Sequence, residues 1–159
     1  MATFKIPKMS FARKAGERTL KTKLRLRCSA AIQRPGPKLG KSLGNYGINM
    51  MQFCKKYNEL TKNLKDGVET PVLLYVYKNK TFEMEIRYPS ASWFLMKAAN
   101  IEKGSEFPLR EKVGRVSLRQ IYEIARIKQC DPGKDIAPLK GICKSLIGSA
   151  RSLGIDVVD

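Results

Sequence analysis

The side chains able to carry out chemistry in this 159-residue chain are few, and their spacing does not suit catalysis. There is no histidine. Neither a Ser-His-Asp nor a Cys-His nucleophile can be assembled, nor a metal site that needs imidazole. The four cysteines, Cys28, Cys54, Cys130 and Cys143, contain no C-x-x-C pair. Three of them fall on apolar faces of expected elements, where free cysteine behaves as a small hydrophobe. Structural thiols in a reducing compartment are therefore expected, not a zinc site or a disulfide framework. The carboxylates are scattered, and Glu83 and Glu85 share a strand face expected to be solvated. No enzyme activity, cofactor or metal is expected.

Positive charge is what the chain has in abundance: 31 Lys+Arg against 14 Asp+Glu, a net +17. Such an imbalance opposes compactness unless a polyanion neutralises it. No apolar run approaches the ~20 residues of a membrane span, and the N-terminus lacks the apolar centre of a secretory signal. The expected partner is thus a soluble nucleic acid and no membrane. The surplus is front-loaded, with 16 basic and 4 acidic residues in 1–69 against 15 and 10 in 70–159.

Two places in the second half arrange this charge for contact. The stretch Gly141 to Val158, with the residues just before it, reads as an amphipathic helix. Its apolar face is Leu139, Ile142, Cys143, Leu146, Ile147, Ala150 and Leu153. The opposite face carries Gly141, Lys144, Gly148, Arg151 and Ser152. A helical glycine costs about 1 kcal/mol relative to alanine, so a bare face needs a reason. Either a partner surface comes down on it, or Gly148 packs against a neighbouring helix. The other place is Ile101 to Val116, read as one long basic loop in which Arg110, Lys112 and Arg115 bracket Gly114. Long unstructured loops in small domains are usually functional, and glycine permits close approach of a ligand. The loop reads as an RNA contact or as a mobile surface loop.

The elements that must position these residues follow from periodicity. Leu20 to Cys28 alternates Leu20, Thr22, Leu24, Leu26 and Cys28 with Lys21, Lys23, Arg25 and Arg27, a half-buried strand with a cationic outer face. "RPGPKLGKSLG" reads as a loop because of its prolines and glycines. A helix follows, capped by Asn45 or Asn49, with Met50, Phe53, Cys54, Tyr57 and Leu60 as its inner stripe. Residues 71–88 read as a hairpin turning at Lys78-Asn79-Lys80. Tyr88-Pro89-Ser90 is the expected hinge, with Ser90 capping a helix. Ser117 to Gln120 is a capping box opening another. The fold class is α+β: a basic extension over 1–17, an N-terminal α+β domain with a small antiparallel sheet over 18–87, and a C-terminal three-helix domain over 88–159. The extension reads as a solubilising tail, an organelle-targeting segment, or a basic arm that orders on RNA.

The segments "GINMMQFCKKYN", "YPSASWFLMKAA", "KVGRVSLRQIYEIARIK" and "GSARSLGIDVV" resemble the family of large-subunit ribosomal protein eleven, over about residues 19 to 159. The resemblance implies a structural component of the large ribosomal subunit at its GTPase-associated centre. The C-terminal domain would bind large-subunit ribosomal RNA, and the N-terminal domain would lie near stalk-base proteins and transiently bound translational GTPases. Carried onto this sequence, the RNA-binding loop falls on Gly104, Ser105, Lys112, Val113, Gly114, Arg115 and Ser117, and Arg110 joins it from the reading of the basic loop itself. The RNA-facing helix surface falls on Gly148, Ser149, Arg151 and Ser152, and Ser90 joins the RNA-binding set. A factor-facing loop falls on Pro35, Pro37, Lys38, Gly40 and Lys41, with lysine at 38 and 41 where the family carries proline. Glu106, Phe107 and Leu109 also depart from the family's small or polar residues. The basic N-terminus on a bacterial-type body implies a mitochondrial member, the alternatives being bacterial cytoplasm or plastid. The alternative function is a free-standing RNA-binding regulator or RNA chaperone.

If about five phosphates are neutralised, log K for RNA should fall with log salt at a slope of about −3.5 to −4.5. Titrations at several salt concentrations measure this, and a flat response would remove the polyanion argument.

Overall fold

The computed structural model describes residues 19–134 and 136–159, and the basic stretch 1–17 lies outside them. The chain divides into two compact units, one ending at Arg87 and one starting at Tyr88. The α+β class expected from the sequence is what the chain adopts.

In the first unit the strand β1 (Leu20–Ser29) pairs antiparallel with β2 (Glu69–Tyr77), which pairs with β3 (Phe82–Ile86), giving the order β1-β2-β3. The turn between β2 and β3 is closed by Lys80 N–H donating to the Tyr77 carbonyl at 3.1 Å. Two helices cover one sheet face, α1 (Pro37–Gly44) and α2 (Met50–Thr61). Asn49, not Asn45, caps α2, its side-chain oxygen accepting from Met51 and Gln52 N–H. Phe53, Cys54 and Tyr57 form the buried stripe, with Met50 and Leu60 at its margin.

The helix α1 corrects the reading of residues 34–44 as loop. Pro37 occupies the first helical turn, where its missing N–H would have no partner anyway and its fixed φ suits a helix. Leu39 and Leu43, four apart, are buried against the sheet. That burial outweighs the two glycines in the helix. Of the supposed loop residues, Pro35 lies before the helix, and Pro37, Lys38, Gly40 and Lys41 are helical.

In the second unit α3 (Ala91–Ala98), α4 (Leu118–Gln129) and α5 (Leu139–Ser152) enclose a core of residues such as Leu95, Ile121, Ile124, Leu146 and Ala150. Ser90 caps α3, accepting from Trp93 N–H, and Ser117 and Gln120 form the capping box of α4. Three readings need correction. The loop from Ile101 ends in a strand, β4 (Gly114–Ser117), and the C-terminal stretch read as helix becomes β5 (Ile155–Val158), parallel to β4. The helix stops because Gly154 takes φ +74°, a left-handed conformation that few other residues adopt. Ile147, assigned to the apolar face, is 37% exposed.

The fold of the first unit depends on one buried hydroxyl. Tyr57 Oη donates to the Cys28 carbonyl at 3.0 Å and bonds Thr70 Oγ1, joining α2 to both β1 and β2. Tyr57→Phe should therefore cost about 1–3 kcal/mol, the penalty for a buried polar group left short of a partner. Chemical denaturation measures it, and an unchanged midpoint would show the hydroxyl to be dispensable.

Candidate nucleic-acid interface

Burial, then the nearby Cys54, pushes the Cys28 thiol up to about 11, and burial raises Cys54 as well, so neither is a ready thiolate at neutral pH. Among the described residues no cluster of cysteine and carboxylate could hold a metal ion, and no helix is long and apolar enough to cross a membrane.

The outer face of α5 is bare in the folded unit. A β-carbon built on Gly148 would meet nothing within 4 Å, and one on Gly141 would meet only the Pro138 side chain. Among the described residues no neighbouring helix fills the space at Gly148, so packing within them does not explain that glycine. Lys144 and Arg151 project from the same face, exposed, with no carboxylate in ion-pair range among the described residues. Ser149 Oγ donates to the Ser145 carbonyl at 3.0 Å and Ser152 Oγ to the Ser149 carbonyl at 2.8 Å. Bonded in this way, each hydroxyl keeps lone pairs with which it can accept from a ribose 2′-hydroxyl.

The basic loop is fastened to the end of this helix. Ser105 N–H donates to the Leu153 carbonyl at 3.0 Å, and Val113 N–H donates to the Gly154 carbonyl at 2.9 Å. Gly104 packs on Leu153, where an added β-carbon would come within 3.2 Å of both side chain and backbone. Between these ties the loop makes a tight turn in which Phe107 N–H donates to Ser105 Oγ and the Phe107 carbonyl receives Arg110 and Glu111 N–H. Phe107, Leu109 and Val113 are exposed there. The geometry thus brings the loop residues Gly104, Ser105 and Val113 to the α5 end that bears Arg151 and Ser152.

Several residues sit otherwise than their sequence roles suggested. Gly114 lies in β4, and a β-carbon there would stand 3.0 Å from Ala99 Cβ and 3.3 Å from Ile101 Cγ2, so internal packing accounts for it without any ligand. Lys112, although exposed, is engaged within the unit by the Pro108 carbonyl at 3.2 Å and the Asp156 carboxylate at 3.4 Å. Arg110 and Arg115 are the exposed cations of this stretch without an ion-pair partner among the described residues. The Ser117 hydroxyl is engaged as the cap of α4, and the hydrogen bonds of the Ser90 hydroxyl stay at the start of α3. Gly154 and Asp156 were missed by sequence reasoning. The glycine following the last periodic apolar residue was the available signal for the first. Asp156 gave none, because its partner is distant in sequence.

Two family models and a curated relative match the chain. A family model described as "Ribosomal protein L11, RNA binding domain" matches residues 87–157, and one described as "Ribosomal protein L11, N-terminal domain" matches residues 24–82. "Large ribosomal subunit protein uL11m" of Reclinomonas americana is 42% identical over 137 residues, covering 85% of this chain and 92% of that protein.

The exposed glycine of α5 and the buried glycine that ends it should behave oppositely. Gly148→Gln should hold or raise the melting temperature, by up to about 1 kcal/mol in helix stability, while RNA affinity falls because the longer side chain holds two surfaces apart. Gly154→Ala should destabilise the unit by about 2–5 kcal/mol, from backbone strain and overpacking against the loop. Thermal melts and RNA binding on the same samples test both. A destabilised Gly148→Gln whose folded fraction binds normally would end the assignment of α5.

Proposed function

The chain belongs to the ribosomal protein L11 family, and on that basis we propose that it acts at the GTPase-associated centre of the large ribosomal subunit. Membership makes it a structural, RNA-binding constituent of the large subunit and not an enzyme. The finer reading is ours. The C-terminal unit grips a folded segment of large-subunit ribosomal RNA through α5 and the loop fastened to it. The N-terminal unit faces the stalk-base proteins and, transiently, the translational GTPases. The observation that carries the RNA reading is the uncovered face at Gly148, flanked by Lys144 and Arg151.

In this reading Arg151 and Arg110 neutralise phosphates, and Gly148 lets the helix backbone approach the RNA. Gly104, Lys112 and Gly114 act indirectly by holding the loop in shape. The uL11m designation of the Reclinomonas relative supports a mitochondrial ribosome as the site of action. Residues 88–90 are fastened into the second unit, so the hinge of this reading lies at their N-terminal edge. Tyr88 N–H donates to Asp131 Oδ1 at 2.8 Å, and Lys128 Nζ donates to the Tyr88 and Pro89 carbonyls.

Two experiments follow. The chain should co-sediment with large subunits in a gradient, and recovery at the top would favour a free regulator. A fragment from Arg87 to Asp159 should bind the ribosomal RNA segment within a few-fold of the whole chain. One starting at Ser90 should melt at a lower temperature, since Lys128 and Asp131 lose their partners at Tyr88 and Pro89. Tighter and equally specific binding by residues 1–88 alone would reverse the assignment of the units.

A further inference from the structure

The C-terminal interface leaves most of the charge unexplained. The chain up to Arg87 holds 19 basic and 6 acidic residues, and the unit from Tyr88 onward holds 12 and 8. In the first unit the surplus is organised. Lys23, Arg25 and Arg27 occupy one column on the outer face of β1, and Lys21 stands at a bulge just before them with its ammonium over Tyr46; all four are exposed. Same-face residues on a strand recur about every 7 Å, a repeat comparable with that between successive phosphates on a nucleic-acid strand, so the three span about 13 Å.

Among the described residues the column has no paired counter-charge. Across the strands Lys23 faces Tyr75, Arg25 faces Leu73 and Arg27 faces Pro71. On the outer face Glu69 stands opposite Ser29, diagonal to Arg27, while Glu83 and Glu85 lie on β3, two strands away, and accept from the hydroxyls of Tyr77 and Tyr75; Arg87 also binds Glu85. Among the described residues no carboxylate lies within ion-pair distance of the four cations. Two of them are steadied by rings: Lys23 Nζ sits 5.4 Å from the Tyr75 ring centre and Lys21 Nζ 5.8 Å from that of Tyr46. A cation already held over a ring loses less freedom on binding.

We propose that the outer face of β1 is a second RNA-binding surface, reading phosphate backbone on RNA other than the segment gripped by the C-terminal unit. An acidic protein fits less well, because protein interfaces centre on apolar anchors and are depleted in lysine, and this column contains charge alone. The competing explanation is that lysine and arginine guard an edge strand against unwanted strand pairing; β1 is the first strand of the sheet and pairs only with β2 among the described residues.

The test uses the whole chain and an RNA duplex of arbitrary sequence. One variant replaces Lys21, Lys23, Arg25 and Arg27 with Gln. A control removes the same charge from the same unit at Lys55, Lys62, Lys65 and Lys78, all exposed. A third keeps the charge by exchanging lysine and arginine at the four β1 positions. The first variant should lose roughly ten-fold or more in affinity at low salt and about 3 units of salt slope, at about 0.7 to 0.9 per phosphate. The control should lose less than one unit, and the charge-keeping variant should bind like the parent. Equal losses in the first variant and the control would reduce the effect to net charge and overturn the proposal. A first variant that aggregates while its folded fraction binds normally would establish edge protection instead. If the parent binds poly-aspartate of equal charge as tightly as the duplex, and the first variant loses both alike, the partner is an acidic protein and the RNA assignment fails. Binding of the C-terminal unit's own RNA segment, sensitive to Gly148→Gln, is a separate readout, so the two surfaces stand or fall independently.

Discussion

Gly154 stands at φ +74° with its α-carbon pressed into the basic loop: an added β-carbon would come 2.6 Å from Ser105 Cβ and 2.9 Å from the Glu111 carbonyl. Two separate demands, left-handed backbone and no side chain, meet at this residue, and only glycine satisfies both. Its conformation ends α5 and turns the chain into β5, whose parallel pairing with β4 closes the unit. Its carbonyl receives Val113 N–H, while the preceding carbonyl of Leu153 receives Ser105 N–H. The loop is therefore an extension of the helix end. Whatever α5 contacts, the loop contacts in a fixed relation to it, and a surface drawn from two distant stretches of sequence behaves as one.

Local pattern carried the sequence reading wherever a single element decides its own structure. Strict alternation exposed β1, the i, i+3, i+4 stripe exposed α2, and Ser117 with Gln120 announced the start of α4. The failures share a cause, which is dependence on non-local contacts. Residues 37–44 have the composition of a loop, and they are helical because Leu39 and Leu43 find a sheet to lie on. The strands β4 and β5 are four residues each and stabilise one another only across the intervening helices. At the candidate interface, the bare face of α5 was legible from spacing alone. The internal engagement of Lys112, Gly114 and Ser117 was not, since charge and small size at those positions serve packing and capping just as well.

Lys128 shows how far charge can be diverted from solvent in so basic a chain. It and Asp131 form a buried ion pair whose remaining hydrogen-bonding capacity is met by Tyr88 and Pro89 backbone. Buried charges are tolerable only with such completion, and removing one partner strands the other at a cost of about 3–5 kcal/mol. The pair adds little net stability over apolar side chains, but it is selective. It accepts one backbone arrangement of Tyr88-Pro89 and thereby fixes where the second unit begins.

The division of labour within α5 explains how the chain tolerates a poor helix at its interface. The helix has no side-chain cap at Pro138, no acid in its first turn, and glycine at 141 and 148, each glycine costing about 1 kcal/mol. Its inner residues Ile142, Leu146 and Ala150 are buried, and an aliphatic side chain the size of isoleucine or leucine contributes about 1.5–3 kcal/mol when fully buried. Inner-face burial offsets the losses on the outer face. Stability and contact are thus set by residues that do not overlap, and the outer face is free to keep small residues that no folding requirement favours. A face so unsuited to a solvated helix, beside exposed Lys144 and Arg151, is accounted for by what it must lie against and not by the helix itself.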